Sequence, residues 1–300
     1  MKIPLPNSGV ELSKSDFLKY FEKKVNKTIS KHSMIQKGDK IAVALSGGKD
    51  STVLLYLLSK LSIKRHNKFT VEAIAIDEGI KDYRKKTLDF AKEFCKQLKI
   101  KLHIYTYEKE FSLTLDSMIK KSNNAPCNIC GTFRRYLLNK YAKKLKFNKL
   151  ATGHNLDDEA QSILMNYFKN NTAINARLGP ITGIIKDASF IPRIKPLYFL
   201  TEKEVATFAF LMKFNLEYTE CPNAADSFRN DIQTLLNDFE SRYPGTKHSL
   251  VNSFLETLPL LKEKQKINAT LLLCKICKEP SSNEICKSCL TLKEIKSSSC

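Results

Sequence analysis

The motif Ser-Gly-Gly-Lys-Asp-Ser at residues 46–51 combines residue types that bind phosphate. It follows an apolar run at residues 41–45 and precedes leucines at helical spacing, which predicts a strand, a tight turn and a helix. Backbone N–H groups and the positive helix end can hold phosphate there, Lys49 can neutralise its charge, and Asp50 could help to position Mg²⁺. The spacing differs from a Walker A loop. We expect phosphate binding by Ser46, Gly47, Gly48, Lys49, Asp50 and Ser51.

Three cysteines in two further motifs could hold a cluster or react directly. Cys127 and Cys130, in Pro-Cys-Asn-Ile-Cys-Gly, open a predicted basic helix, and helix N-termini favour thiolates by lowering thiol pKa values. Cys221, in Glu-Cys-Pro-Asn, precedes another predicted helix. The three thiols could bind three irons of a [4Fe–4S] cluster and leave the fourth open for sulfur, or two could cycle through a disulfide and a persulfide. The alternative is a structural Cys-x-x-Cys turn with an unrelated buried Cys221.

The last thirty residues contain a second cysteine pattern. Two Cys-x-x-Cys turns eight residues apart suit a tetrahedral Zn²⁺ site, formed by Cys274, Cys277, Cys286 and Cys289. Because such a closed site has no open coordination position, we expect zinc to be structural, stabilising a module too short for its own apolar core. Cys95 lies on an apolar helix face and is predicted in the core, whereas Cys300 is predicted to be a free terminal thiol.

The charge balance favours a polyanionic partner. Fifty Lys and Arg residues against 31 Asp and Glu give a net charge of +19. Residues 134–149 contain seven of these cations and no acid, interleaved with apolar residues that face the core. Contacts with RNA phosphates are predicted for Arg134, Arg135, Lys140, Lys143, Lys144 and, beside Cys221, Arg229. The alternative is a solvated helix face.

Alternating apolar runs and helical patterns predict an α/β fold. After the first strand and helix come a strand at 69–76, a helix at 82–99, a strand at 102–107, helices at 111–121 and 127–147, and a strand at 150–152. This order is typical of a doubly wound parallel sheet, whose ligands bind at the carboxyl ends of the strands. Strands are expected to stop at about residue 201, after which helices are predicted at 201–214, 227–241 and 247–262.

Four segments follow from these patterns. Residues 1–38 are predicted as a helical segment, 39–200 as the phosphate-binding α/β domain, 201–270 as a helical region carrying Cys221, and 271–300 as the four-cysteine module with its tail. Hydrophobic residues make up 42% of the chain, which argues against intrinsic disorder. The sequence predicts neither a membrane span nor a signal peptide. We therefore expect a cytoplasmic location.

The phosphate-binding motif resembles that of the PP-loop ATP pyrophosphatases. In combination with the cysteine motifs and Gly-His-Asn-Leu-Asp-Asp at 153–158, the chain resembles the tRNA 2-thiouridine synthetases, a group that covers cytosolic wobble and thermophile T-loop thiouridylases. Ile-Asp-Glu-Gly-Ile at 76–80 and Arg-Ile-Lys-Pro-Leu at 193–197 match as well, and the resemblance extends from about Phe17 to Cys289.

The resemblance implies a function and further site residues. ATP, with Mg²⁺, would adenylate the uridine C2 oxygen, and sulfur held on a [4Fe–4S] cluster or as a persulfide would replace that oxygen. Asp77, Gly153 and His154 would complete the ATP site, with Asp158 catalytic. Lys49 would act on the phosphates, and Cys130 and Cys221 would react directly if no cluster is present. A ubiquitin-like thiocarboxylated sulfur carrier or free sulfide would supply sulfur, and a homodimer is expected.

One departure from the family pattern concerns the amino-terminal region. The family usually has an N-terminal Cys/His zinc finger, but residues 1–30 contain neither residue type. The mode of tRNA docking therefore stays open. Two other functions are possible from the sequence. The first is 2-thiolation of tRNA cytidine, which is disfavoured because Pro222 and Asn223 follow Cys221 without a second cysteine. The second is a non-enzymatic RNA-binding zinc protein, which is disfavoured by the intact phosphate loop.

Overall fold

A computed structural model describes residues 2–5, 9–64, 66, 68–183, 190–214, 221–223, 228–267 and 272–297. The strands are β1 (Lys2–Pro4), β2 (Glu11–Ser13), β3 (Lys40–Ala44), β4 (Thr70–Asp77), β5 (Leu102–Thr106), β6 (Lys149–Ala151), β7 (Arg193–Ile194), β8 (Leu272–Leu273) and β9 (Pro280–Ser281). The helices are α1 (Lys14–Lys31), α2 (Lys49–Lys64), α3 (Arg84–Gln97), α4 (Tyr107–Phe111), α5 (Leu115–Lys120), α6 (Pro126–Lys144), α7 (Leu156–Phe168), α8 (Thr172–Asn175), α9 (Glu202–Leu211), α10 (Phe228–Arg242), α11 (Thr246–Ile267) and α12 (Lys287–Ser297).

The central sheet has the strand order β5-β4-β3-β6-β7, and its neighbouring strands are parallel. Strand β3 lies in the middle, where Ala42 and Val43 are fully buried on opposite faces. Continuous apolar runs suit a parallel sheet because helices cover both of its faces. The predicted doubly wound α/β architecture is confirmed, and the carboxyl ends of β3, β4 and β6 meet at one edge.

Two apolar layers enclose the sheet. On one face, α1, α2, α3 and α9 share a core in which the rings of Phe21 and Phe208 stack with centroids 4.3 Å apart. On the other face, α4, α5, α6 and α12 share a second core that includes the fully buried Ile295. Cys95 is buried in the first core, as predicted, and this burial raises its thiol pKa to about 11. The first core therefore joins α1 to α9, the helix that follows β7.

A third apolar cluster holds the carboxyl-terminal helices in place. Residues of α7, α10 and α11 pack around Tyr198, Leu156 and Val251, all of which are fully buried. The predicted helices at 201–214, 227–241 and 247–262 correspond to α9, α10 and α11. None of the helices within the described residues is long and apolar enough to cross a membrane.

The structure corrects three local expectations. The first 38 residues are not one helix, because the chain forms the antiparallel β1–β2 pair before Ser13 caps α1. The helix predicted at 111–121 begins only at Leu115, since Thr114 forms a capping box with Ser117. Strands do not stop at residue 201, because β8 and β9 pair within the cysteine-rich module. The predicted terminal thiol of Cys300 lies outside the described residues.

We expect Phe208→Ala to lower the free energy of unfolding by about 3–5 kcal/mol, because it removes a ring from the core shared by α1, α2 and α9. Phe210→Ala is the matched control on the same helix, since Phe210 is 69% exposed, and should change stability by about 0.5 kcal/mol or less. Urea denaturation measures both. Equal effects of the two substitutions would contradict the described packing of α9.

Candidate functional site

The loop between β3 and α2 turns tightly around its own hydroxyl groups. Ser46 donates its backbone N–H to Ser51 Oγ at 3.1 Å, and Gly48 N–H donates to Ser46 Oγ at 3.2 Å. Gly47 has a φ of +87°, and a Cβ there would lie 2.4 Å from the Thr87 carbonyl oxygen. Only glycine fits this position without displacing backbone, so the loop can remain narrow at the helix N-terminus.

Lys49, the first residue of α2, lies between two carboxylates. Its Nζ is 2.7 Å from Glu202 Oε1 and 3.2 Å from Asp50 Oδ2. Burial alone would lower the pKa of Lys49, but these two carboxylates outweigh it and raise the pKa. The side chain therefore carries a positive charge at the loop where the sequence predicts phosphate.

The Gly-His-Asn loop is in backbone contact with the phosphate-binding motif. A Cβ on Gly153 would lie 2.8 Å from the Asp50 carbonyl carbon and from Ser51 N. Asn155 caps α7 by accepting from Asp158 N–H at 3.1 Å, and its Nδ2 donates to Asp50 Oδ1 at 3.0 Å. Two loops that are about a hundred residues apart in sequence thus form one site.

Asp50 and Asp158 face each other across Asn155. Burial raises the pKa of each carboxyl group, and the Asp158 carboxylate raises that of Asp50 further, while Lys49 and Arg229 oppose these increases. Arg229 Nη1 lies 3.2 Å from Asp158 Oδ1. Two nearby carboxylate oxygens beside a phosphate-binding loop are the donor set that Mg²⁺ prefers, so the residues present fit this ion.

The cysteine motifs meet at the same edge of the sheet. Cys127 lies in the first turn of α6, and its Sγ is 3.6 Å from the carbonyl oxygen of Asn223, two residues after Cys221. Cys130, one turn further, is buried, and Tyr107 Oη donates to its carbonyl oxygen at 2.8 Å. Cys221 is partly buried against the same apolar core as Cys130. The three predicted thiols therefore lie around one opening.

Burial raises the pKa of the Cys130 thiol, although the Arg134 guanidinium opposes the increase with its Nη2 only 2.9 Å from Sγ. This corrects the expectation that the helix N-terminus lowers the Cys130 pKa, because desolvation outweighs the dipole one turn into α6. A positive group is nevertheless fixed against the sulfur. The charge of a bound metal would add to that of Arg134 in favouring the thiolate.

A buried ion-pair network joins the two halves of the site. The Glu78 carboxylate, only 3% exposed, accepts from Arg134 Nε at 2.8 Å, and it forms an ion pair with Arg84, whose Nε lies 2.8 Å from Glu78 Oε2. Arg84 also donates to the carbonyl oxygens of Ser46 and Ile76. A continuous chain of contacts therefore runs from the phosphate-binding loop to Cys130 Sγ. Sequence reasoning missed Glu78 and Arg84, and the available signal was the Ile-Asp-Glu-Gly-Ile motif at the end of β4.

Residues 18–238 match the family model of the PP-loop domain. The chain is 37% identical to the tRNA-5-methyluridine(54) 2-sulfurtransferase of Pyrococcus horikoshii, over 93% of this chain and 86% of that protein. It is 35% identical to the tRNA 2-thiolation protein NcsA of Haloferax volcanii, over 96% and 94% respectively.

A solved structure matches across almost the whole fold. The U34-tRNA thiolase NcsA from Methanococcus maripaludis, solved with its [4Fe–4S] cluster, superimposes with a TM-score of 0.84 and 34% identity, covering 97% of this chain and 93% of that one. The chain belongs to the PP-loop family of tRNA 2-thiolation proteins. The resemblance that the sequence motifs suggested is therefore confirmed.

The cysteine spacing in this PP-loop protein distinguishes two kinds of metal site. In the tail, the sulfurs of Cys274, Cys277, Cys286 and Cys289 all lie within 4.8 Å of one another, as one tetrahedral ion requires. Among the described residues, no other group of three or more His, Cys, Asp or Glu is that compact. Cys127, Cys130 and Cys221 are therefore less compact than the tail set, and such wider spacing is compatible with the ligands of an iron–sulfur cluster.

Backbone donors support the tail site of the PP-loop protein. Cys286 N–H points to Cys274 Sγ at 3.3 Å, and Cys289 N–H points to Cys286 Sγ at 3.4 Å. Such N–H groups stabilise thiolates, so the four cysteines fit Zn²⁺. The module packs through Ile295 of α12 into the core formed by α6.

Asp77 ends β4 and accepts from Gly79 N–H at 2.9 Å. A cavity of about 370 Å³ opens beside it, between the end of β4 and the first turns of α3. Its lining carries both charges and includes Asp77, Lys81, Arg84, Lys85 and Asp89. Asp77 is thus separated from the Asp50–Asp158 pair but lies at the same edge of the sheet.

The predicted RNA-binding cations divide into two groups. Three arginines lie near the thiols and Asp158. They are Arg134 and Arg229, whose contacts are given above, and Arg135. Lys140, Lys143 and Lys144 lie two to three turns further along α6, where Lys140 pairs with Glu110 and the other two are exposed. The structure therefore brings the arginines, but not the lysines, to the site.

The ring of His154 is held by a hydrogen bond between its Nδ1 and Thr152 Oγ1 at 2.9 Å. His154 is exposed at the surface of the site, but the surrounding protein limits the hydration of its ring and lowers its pKa to about 3, and the charges of Lys195, Arg229, Arg193 and Arg135 contribute to this. The imidazole is therefore neutral throughout the physiological range.

We expect the His154 ring resonances to show no titration between pH 5 and pH 8, because its pKa is about 3. An unfolded histidine is protonated below about pH 6.5, whereas His154 in the folded protein stays neutral down to about pH 3. Its contribution to the free energy of unfolding is therefore complete above pH 6.5 and declines as the pH falls towards 3. NMR titration measures the first effect, and His154→Gln assigns the resonance and should reduce the acid sensitivity of unfolding. A midpoint near 6.5 would contradict the described environment.

Proposed function

We propose that this protein is an ATP-dependent tRNA sulfurtransferase that replaces the C2 oxygen of a uridine with sulfur. The observation that carries the proposal is the chain of contacts that runs from Ser46 through Arg84, the buried Glu78 and Arg134 to Cys130. It links the loop proposed to bind phosphate to the thiol proposed to react. An enzyme that activates an oxygen with ATP and then replaces it with sulfur needs both sites within reach of one base. The relatives named above carry the corresponding activity in their names.

ATP would bind with its phosphates on the Ser46–Ser51 loop and the N-terminus of α2. Lys49 would exchange its contact with Glu202 for the phosphates, and Asp50 and Asp158 would hold Mg²⁺. Asp77, Gly153 and His154 would line the rest of the nucleotide site. The uridine C2 oxygen then attacks the α-phosphorus, the bond to the β-phosphate oxygen breaks, and pyrophosphate leaves.

Sulfur would be delivered from the thiol side of the site. Cys127, Cys130 and Cys221 would hold a [4Fe–4S] cluster, which when bound supplies an iron position open to sulfur. Sulfide attacks C2 of the adenylated base, the C2–O bond breaks, and AMP leaves with the oxygen. Arg134, fixed by Glu78, holds positive charge at Cys130 Sγ and stabilises a thiolate there. In a cluster-free reaction, a persulfide donor would transfer sulfane sulfur to Cys130, and the outer sulfur would attack C2 as the C2–O bond to AMP breaks. Cys221 would then displace the thiouridine from Cys130, and an external thiol reductant would reopen the resulting Cys130–Cys221 disulfide.

The four sequence segments receive roles within this proposal. Residues 39–200 would bind ATP, 201–270 would contribute Cys221 and Arg229, 271–300 would bind structural Zn²⁺, and 1–38 would pack beneath the sheet. We further propose a cytoplasmic enzyme, a homodimer, and a ubiquitin-like thiocarboxylated carrier or free sulfide as sulfur donor. The relatives named above act at position 34 or 54 of tRNA by their names, so both loops belong in the assay.

We expect anaerobically reconstituted wild-type protein to contain about four irons per chain, and the Cys127/Cys130/Cys221 triple alanine variant to contain none. Because sulfur is held there, Cys130→Ala alone should abolish 2-thiouridine formation from tRNA, ATP and sulfide. Iron and sulfide analysis and nucleoside mass spectrometry measure these outcomes. Cys95→Ala is the matched control, since Cys95 is buried in the opposite core and should leave both iron and activity unchanged.

Thiolation that persists in Cys130→Ala would contradict the proposed role of this thiol. ATP should be converted to AMP and pyrophosphate only when uridine-containing tRNA is present, and Lys49→Met should remove that turnover. A protein that binds tRNA but never releases pyrophosphate would instead be a non-enzymatic RNA-binding protein. Thiocytidine in place of thiouridine would favour the cytidine-modifying reaction.

We expect Cys286→Ser to release about one zinc per chain while the iron content stays at the wild-type level, because the two thiol sets are separate. The same variant should unfold at a lower temperature, since α12 would lose its anchor beside α6. Metal analysis and thermal unfolding measure these effects. Simultaneous loss of iron and zinc would show that the tail and the thiol site are not independent.

A further inference from the structure

Two arginines approach each other on the α6 face of the sheet. Asn139 of α6 accepts from the backbone N–H of Ile191 at 3.2 Å, which fixes the helix against the segment entering β7. Arg135 lies one helical turn, about 5 Å, from Asn139 towards the carboxyl edge of the sheet. Arg193 lies two strand residues, about 7 Å, from Ile191 in the same direction. The two side chains are therefore brought to the same place.

Arg193 lies on the same face of the sheet as the thiols, and Arg135 folds towards Cys130. Arg193 pairs in register with Leu150, which belongs to the α6 core, so its side chain lies on that face of the sheet. A Cβ on Gly131 would lie 2.9 Å from Arg135 Nη1, so the Arg135 side chain folds back along α6 over Gly131, next to Cys130. Glycine at 131 leaves the space that this conformation needs.

The charges of Arg135 and Arg193 have no acidic partner within the described part of the chain. Among the residues that the structure describes, neither Arg135 nor Arg193 makes an ion pair or a side-chain hydrogen bond, whereas Arg84 and Arg134 share Glu78 and Arg229 pairs with Asp158. Restricted hydration and the neighbouring Arg135 lower the pKa of Arg193 to about 10. Arg135 is exposed and Arg193 half-buried, and two like charges held this close repel each other unless an anion lies between them.

We propose that Arg135 and Arg193 form a phosphate seat for the tRNA backbone, holding a phosphodiester next to the uridine that is thiolated. This rests on the proposed function and names the contact that positions its substrate. A planar guanidinium pairs with two phosphate oxygens, so a pair of arginines can grip one phosphodiester from two sides. A loop nucleotide turned out of its stack would then place its base towards Cys130 while its phosphate stays on the seat.

Arg135 and Arg193 also lower the pKa of His154, so the seat adjoins the proposed nucleotide site, but its place in the fold favours RNA over the phosphates of ATP as the source of this anion. The ATP phosphate loop precedes α2, which packs on the opposite face of the sheet, and it already has Lys49 as its own cation. The seat lies beyond Cys130 on the α6 face, two strands away from β3 at β7. The anion that binds there should therefore arrive with the base.

The test is binding of unmodified tRNA at several salt concentrations, without ATP or sulfide, to the full-length protein. Arg135→Gln and Arg193→Gln should each weaken binding about tenfold and reduce the slope of log affinity against log salt by about 0.7–0.9. Affinity for ATP and for pyrophosphate should be unchanged. Arg242→Gln is the matched control, because it removes one exposed guanidinium from α10, far from the thiols, and should alter tRNA affinity less than twofold.

Two results would overturn the proposal. Loss of ATP or pyrophosphate affinity with tRNA affinity intact would assign the pair to the nucleotide, and tRNA binding like that of Arg242→Gln would make both arginines structural. Arg193→Lys keeps the positive charge in the strand and should retain part of the tRNA affinity. If Arg193→Gln fails to fold, two other variants test the proposal: Arg135→Gln, and Gly131→Ala, which displaces the Arg135 side chain. Wild-type protein that binds tRNA through the pair but never thiolates it would refute the proposed function and leave the seat standing.

Discussion

The site depends on one buried carboxylate. Glu78 lies at the end of β4, almost inaccessible to water, and binds two guanidinium groups that project from α3 and α6. An unpaired charge at this depth would be strongly unfavourable, so the burial of Glu78 depends on its two guanidinium partners. Since Arg84 also holds the Ser46 carbonyl and Arg134 touches Cys130 Sγ, the set fixes the distance between the nucleotide loop and the thiol.

The charged residues around the site are also arranged in ion pairs. Most cations near the loops have a carboxylate of their own: Lys49 has Glu202, Lys195 has Glu159 and Arg229 has Asp158. These pairs hold the loops of β3, β6 and β7 against α7 and α9 before any substrate is present. A polyanion that enters the cleft must therefore compete with internal carboxylates everywhere except at cations that lack one. Specific placement of a nucleotide then comes from a few positions rather than from the net charge of the chain.

Sequence reasoning identified the sheet, the three cysteine motifs and the two loops that meet at Gly153. These features were accessible because they are local: apolar runs define strands, and paired cysteines or glycines define turns whatever the rest of the chain does. Glu78 and Arg84 were not identified, since a Glu after a strand and an Arg at the start of a helix are ordinary surface residues until their partners are known. The raised pKa of Cys130 was missed for a related reason, because burial depends on the whole fold and the helix dipole does not. The hairpin before α1 escaped notice because its strands are only three residues long.

The attachment of the tail through Ile295 makes α12 part of the main core rather than an appended module. Ile295 is fully buried in the same apolar layer as Ile129, Phe133 and Leu137 of α6. Without α12, this layer would be open to water on one side. Loss of the tail would therefore expose contiguous apolar surface beside α6, and such surface favours association between chains.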